Sequence, residues 1–108
     1  MCVFCDLVKS SSSESIVASS DSYICVRDIN PVSPTHLLFI PKKHIESLNE
    51  ASDVNLLGEI MCNIKDVSKK MGISSYRVVI NTGDDAGQTV KHLHIHLLGG
   101  RSFGWPPG

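Results

Sequence analysis

Three histidines alternate with large aliphatic residues in His92-Leu93-His94-Ile95-His96-Leu97. Side chains alternate across an extended strand, so His92, His94 and His96 share one face and Leu93, Ile95 and Leu97 the other. Three imidazoles in a row serve packing badly, because each ring brings polar atoms that need partners. They serve chemistry well. Neutral imidazoles bind zinc, for which His-x-His is a common fragment. An imidazole that keeps the proton on its other nitrogen is also a competent nucleophile at neutral pH. The preceding segment favours the nucleophile. Residues 81–89 read Asn-Thr-Gly-Asp-Asp-Ala-Gly-Gln-Thr and supply glycines, an amide, a hydroxyl and backbone N–H groups. Such a loop can form an anion-binding nest, although alone it is equally a plain hairpin connection. Cys2 and Cys5 have Cys-x-x-Cys spacing, which a metal or burial explains better than a disulfide.

The elements around these residues follow from pattern. Residues 9–15 are a polar, serine-rich stretch that reads as a loop or a frayed short helix. Ser15 to Ser19 and Tyr23 to Asp28 read as strands, joined by a turn at Asp21-Ser22. Asn30-Pro31-Val32-Ser33-Pro34 is a breaker. Thr35 to Ile40 is the next strand, ended by Pro41. Residues 52–71 predict the one long helix, with Val54, Leu57, Met61, Ile64, Val67 and Met71 on one face. Ser52 is its expected cap, Gly72 its end, and Gly58 a place where another backbone approaches closely. Tyr76 to Asn81 and His92 to Leu98 complete five strands. Consecutive strands with short links and a single long helix predict an antiparallel α+β domain.

A chain of 108 residues suits one domain, residues 1–108. Its net charge is −1, so no basic excess is available to track a nucleic-acid backbone. An anionic ligand must be held by local groups. No stretch is long enough to cross a bilayer, and Met-Cys-Val-Phe-Cys-Asp does not resemble a signal peptide. The expectation is a cytoplasmic protein, binding neither membrane nor nucleic acid, whose four cysteines stay reduced.

The histidine strand resembles the signature of the histidine-triad (HIT) family. The resemblance runs through most of the chain. Asp28-Ile-Asn-Pro, Pro34-Thr-His-Leu-Leu-Phe-Ile-Pro-Lys-Lys-His-Ile45, Gly87-Gln-Thr89, Leu98-Gly-Gly-Arg101 and Trp105-Pro-Pro-Gly108 look like the Hint branch. That branch comprises purine nucleoside phosphoramidases. The resemblance implies a five-stranded antiparallel sheet with one long helix and a short N-terminal helix. It also implies a homodimer in which two such sheets join.

By that resemblance, His94 attacks the α-phosphorus of a nucleoside 5′-phosphoramidate, an amine leaves, and water releases the nucleoside monophosphate from a nucleotidyl-histidine. A backbone carbonyl fixes the tautomer of His94. His96 donates to a phosphate oxygen, and His92 and His36 support the pair. Asn81, Gly87, Gln88 and Thr89 line the phosphate side, and the Thr89 hydroxyl assists the leaving group. Phe4, Leu7, Ile29 and Leu38 form the nucleoside pocket, and Asp28 takes the ribose hydroxyls. Trp105 implies a position near the partner protomer's site.

Four positions depart from the animal Hint pattern. Residue 89 is threonine in place of serine, and residue 27 is arginine in place of histidine. Cys2 and Cys5 are absent from the animal branch but resemble the cysteines of other histidine-triad branches. There they hold a structural zinc, which here implies a set of Cys2, Cys5, His44 and His92. The chemistry itself requires no cofactor. Ala86 to His92 also looks like the Fhit branch, which hydrolyses dinucleoside polyphosphates. A nucleotide-binding interaction module with little catalysis is the other alternative.

Overall fold

The computed structural model describes residues 2–10 and 14–108. The middle of the serine run, residues 11–13, lies outside them. Five antiparallel strands form one sheet in the order β1-β2-β3-β5-β4. They are β1 (Ile16–Ser19), β2 (Tyr23–Arg27), β3 (Thr35–Pro41), β4 (Tyr76–Val79) and β5 (Ile95–Gly99). A short helix, α1 (Val3–Ser10), precedes them, and the long helix α2 (Val54–Lys70) lies between β3 and β4. The predicted α+β architecture is the observed one, including the short N-terminal helix.

Strand alternation gives the sheet two different faces. On one, Tyr23, Cys25, Leu37, Phe39, Ile95 and Leu97 pack with Leu56, Ile60, Ile64 and Val67 of α2. On the other, Ile24, Val26, Leu38 and Ile40 pack with Phe4, Leu7 and Val8 of α1. β3 sits centrally between β2 and β5, so both its faces are covered and His36 to Pro41 are all buried. Register places Leu38 opposite Val26 on one side and His96 on the other. The histidine face of β5 therefore looks toward α1 and the aliphatic face toward α2.

Several expectations need correction. The strand expected at His92 begins only at Ile95. Residues 92–94 form an irregular lead-in that continues the alternation, since Leu93 belongs to the α2-side core. The strand expected to end at Asn81 ends at Val79. The buried stripe of α2 is Leu56, Ile60, Ile64 and Val67, while Val54 is 79% and Met61 39% exposed. Ile64 and Val67 were in the predicted stripe, but the helix is rotated about its axis relative to it. Its cap is Asp53, not Ser52, with the Asp53 carboxylate accepting from the Leu56 N–H at 3.1 Å. Gly72, at φ +73°, ends the helix as expected. A Cβ on Gly58 would meet nothing within 4 Å, so no backbone approaches there.

Candidate active site and cysteine–histidine cluster

His92 enters the core behind the site. Its Nε2–H donates to the Pro41 carbonyl at 2.8 Å. That bond leaves Nδ1 as the lone-pair nitrogen. The His92 carbonyl in turn accepts from Nδ1–H of His94, also at 2.8 Å. A carbonyl can only accept, so His94 carries its proton on Nδ1 and its nucleophilic lone pair on Nε2. This is the carbonyl-fixed tautomer that the sequence resemblance implied. His94 and His96 stand side by side with ring centroids 5.1 Å apart.

The state of His96 follows from a chain of bonds. The Val32 N–H donates to His36 Nδ1 at 3.1 Å. His36 therefore bears its proton on Nε2, between His96 Nδ1 at 2.9 Å and Asp28 Oδ2 at 3.3 Å. The Val32 donor excludes an imidazolium, so His36 and Asp28 form a hydrogen bond and not an ion pair. Burial lowers the His36 pKa further, against the opposing pull of Asp28. Accepting at Nδ1, His96 must carry its proton on Nε2. That atom is buried and has no hydrogen-bond partner among the described residues. Burial, then His94, then His36 push the His96 pKa down to about 4. A neutral donor held without a partner is ready to bind an acceptor that arrives with a ligand.

Both rings open into a cavity of about 740 Å³, within the range of roughly 300–1,000 Å³ usual for small-molecule sites. Phe4, Leu7, Ile29, Leu38, Asp28, His36 and Thr89 line it. Phe4 meets the His94 ring edge-on at 4.9 Å. Asp28 accepts the Asn30 N–H on Oδ1 at 2.8 Å.

Asn81, Gly87, Gln88 and His92 do not line this cavity. Gln88 is 4% exposed, and its amide clamps the loop. It donates to the Glu46 and Val90 carbonyls at 2.7 and 3.0 Å and accepts from the Gly83 N–H at 3.0 Å. The N–H groups of Gly87 and Gln88 bond to Asp84 and Gly83 carbonyls within the turn. The N–H groups of Gly83, Gly87 and Gln88, expected in a phosphate nest, thus serve the loop's own closure, which Gly83 and Gly87 permit by adopting φ +89°. Only its end, Thr89 and Val90, reaches the cavity. Val26 and Val90 line it unpredicted. Val26 was findable, since it pairs with Leu38 across the β2–β3 ladder. Arg27 lines the cavity as well, from a strand position whose neighbours Val26 and Asp28 also line it.

A second cluster lies next to the first. Cys2 Sγ is 3.2 Å from His92 Nδ1, and Cys5 Sγ is 3.2 Å from His44 Nδ1. The four potential ligand atoms of Cys2, Cys5, His44 and His92 all lie within 4.8 Å of one another. The Cys5 N–H donates to the Cys2 sulfur at 3.3 Å. His92 turns its lone pair to this cluster because its other nitrogen is bound to Pro41. Two thiols and two imidazoles with free lone pairs fit tetrahedral zinc. Cys25 is buried elsewhere, and burial pushes its thiol up to about 12.

At the other end, the Arg77 guanidinium donates to the Gly104 carbonyl at 2.7 Å, and the Arg77 and Arg101 guanidiniums lie over the Phe103 ring. Trp105 itself is 85% exposed. Among the described residues no helix is long and apolar enough to cross a membrane.

Residues 1–103 match the family model described as scavenger mRNA decapping enzyme C-term binding. An uncharacterised HIT-like protein of Synechocystis is 42% identical over 98% of this chain and 96% of its own length. A 14 kDa zinc-binding protein of Zea mays is 40% identical over 98% of this chain and 87% of its own. The crystal structure of a HIT family hydrolase from Legionella pneumophila superposes with a TM-score of 0.94 at 41% identity, covering both chains fully. The paired, carbonyl-held histidines thus sit in a fold and a sequence shared with these proteins, and the chain belongs to the HIT-like family.

Proposed function

We propose that this protein is a nucleotide hydrolase that cleaves nucleoside 5′-phosphoramidates through a covalent intermediate on His94. The observation that carries the reading is the bond from His94 Nδ1–H to the His92 carbonyl. It presents the Nε2 lone pair of His94 beside the unpartnered Nε2–H of His96.

In the proposed reaction the nucleoside lies between Phe4, Leu7, Ile29 and Leu38, with its ribose hydroxyls on Asp28. His94 Nε2 attacks the α-phosphorus and the P–N bond breaks. The leaving amine takes a proton delivered from solvent through the Thr89 hydroxyl. His96 Nε2–H donates to a non-bridging oxygen as charge builds there, the type of preorganised donor that stabilises such transition states most. Water then attacks the nucleotidyl-histidine, releasing the nucleoside monophosphate and returning His94 to its neutral form. His36 holds His96 in the donor tautomer throughout. His92 acts through its carbonyl.

Cys2, Cys5, His44 and His92 are proposed to hold a structural zinc, supported by their chemistry and grouping. Zinc would supply a crosslink between the first residues and the sheet. The protein is proposed to be a cytoplasmic homodimer, joined through the edge strand β4, where Tyr76 and Val78 are exposed. A dinucleoside polyphosphate hydrolase is the second reading, favoured by Thr89 within Ala86 to His92.

The deciding measurement is turnover of adenosine 5′-phosphoramidate beside a diadenosine polyphosphate, with His94→Ala as control. The phosphoramidate should be preferred, and the variant should lose at least ~10³-fold in kcat, as removal of a covalent nucleophile does. Equal rates in both proteins would sink the assignment. Preference for the dinucleotide would move the protein to the second reading. Metal analysis of the wild type and Cys5→Ser tests the zinc.

A further inference from the structure

One wall of the cavity is a helix with little to hold it. α1 spans eight residues, short of the roughly 12–15 that an isolated helix needs in water. None of its residues is fully buried. Phe4, Leu7 and Val8 rest on the sheet, but Phe4 and Leu7 also border the open cavity, so their packing there lacks partner atoms. The start of the helix has a different kind of tie. Cys2 reaches His92 and Cys5 reaches His44 across the fold. Phe4 lies between those cysteines, and its ring packs on His94.

The histidine side of the cavity stands without that tie. His92 is held by the Pro41 carbonyl, the Leu93 N–H donates to the Ile45 carbonyl at 2.6 Å, and His94 is held by the His92 carbonyl. None of these bonds involves sulfur.

We propose that Cys2 and Cys5 are positioning residues of the nucleoside pocket. A zinc ion on Cys2, Cys5, His44 and His92 latches α1 to the sheet and thereby sets nucleotide affinity, while His94 keeps its tautomer through the His92 carbonyl and His92 its place through the Pro41 carbonyl. The inference rests on the nucleotide reading of the cavity. Two ligands come from the segment that bears Phe4. The other two come from the segment after β3 and the lead-in to β5. An ion joining them ties a helix with no fully buried residue to segments held by the Pro41 and Ile45 carbonyls. Without it, affinity falls by the fraction of time that the wall is out of place. The signature is a split: KM rises and kcat holds. An ion that only supported the fold would lower protection throughout the chain and produce no split.

The test uses the full chain, zinc-loaded and chelator-stripped, with three readouts. They are hydrogen exchange, calorimetric binding of adenosine monophosphate, and KM and kcat for adenosine 5′-phosphoramidate. Stripping should speed exchange at the amides of Val3–Ser10 and leave β3 and β5 protected. It should weaken nucleotide binding about tenfold, and raise KM with kcat within about twofold. Phe4→Ala should retain zinc yet weaken nucleotide binding to a similar degree. Unchanged exchange in α1 on stripping, a fall in kcat at constant KM, wild-type affinity in Phe4→Ala, or a chain that binds no zinc would each overturn the proposal. If the zinc-loaded wild type fails to bind adenosine monophosphate at all, the nucleotide reading has failed, and the pocket role with it. Failure of the latch alone leaves binding to the loaded protein intact.

Discussion

On its α2 side the sheet presents Tyr23, Cys25, Leu37, Phe39, Ile95 and Leu97 to a helix that buries Leu56, Ile60, Ile64 and Val67. On its α1 side the same strands present His36, Leu38 and His96 to a cavity and to a helix with no fully buried residue. The period-two alternation of β3 and β5 makes both faces at once. The α2 face is close-packed and saturated, so it supplies stability. The α1 face leaves space and, among the described residues, a donor without a partner, so the proposed binding and chemistry fall there. The contrast teaches that a small fold can keep reactive groups exact in position by fixing them from the opposite, packed side of the same strands.

The comparison can be broken on either face. The largest stability effect is expected from Ile60→Ala. Ile60 is 0% exposed in the α2-side cluster, and truncation should cost about 2–5 kcal/mol in urea unfolding. The KM of the remaining folded protein should be unchanged. A shift in KM would show that the faces are not separable. His96→Ala should do the converse, lowering kcat by about 10²–10³-fold while leaving the urea midpoint near that of the wild type. A large loss of stability would mean that His96 is a packing residue first.

A smaller effect separates the faces by pH. Burial lowers the His96 pKa from 6.5 to about 4 and lowers that of His36 as well. Above pH 6.5 both rings are neutral in the folded and unfolded chain, and the stability is fully present. As the pH falls, the unfolded rings take up protons that the folded rings refuse, so stability is lost between 6.5 and about 4. The unfolding midpoint of the wild type should therefore fall more across this window than that of His96→Asn. Parallel curves would show that acid acts elsewhere.

The parts of the site legible in the sequence were those with short-range logic. The pattern from His92 to Leu97 assigned each side chain to its face, even though the ladder itself starts at Ile95. The His92 carbonyl reaches His94 because the two are only two residues apart in extended chain. The α2 stripe was misread for a different reason. Apolar residues at helical spacing occur on two overlapping stripes, and the orientation of the sheet decides which is buried. Gln88 was misplaced because its residue type suits a phosphate and a loop clamp equally. Its choice was made by the Glu46 carbonyl, 42 residues away in the chain.

The sequence by itself determined the inventory: three imidazoles on one face, an aliphatic anchor on the other, and a cysteine pair at helical reach of Phe4. Tertiary structure alone decided their states. His92 acquires its free Nδ1 from Pro41, 51 residues distant, and meets Cys2 across 90 residues. His96 becomes a neutral donor through His36, 60 residues away. Residue types are local, but a ring nitrogen's proton is placed by whichever acceptor or donor the sheet register sets against it.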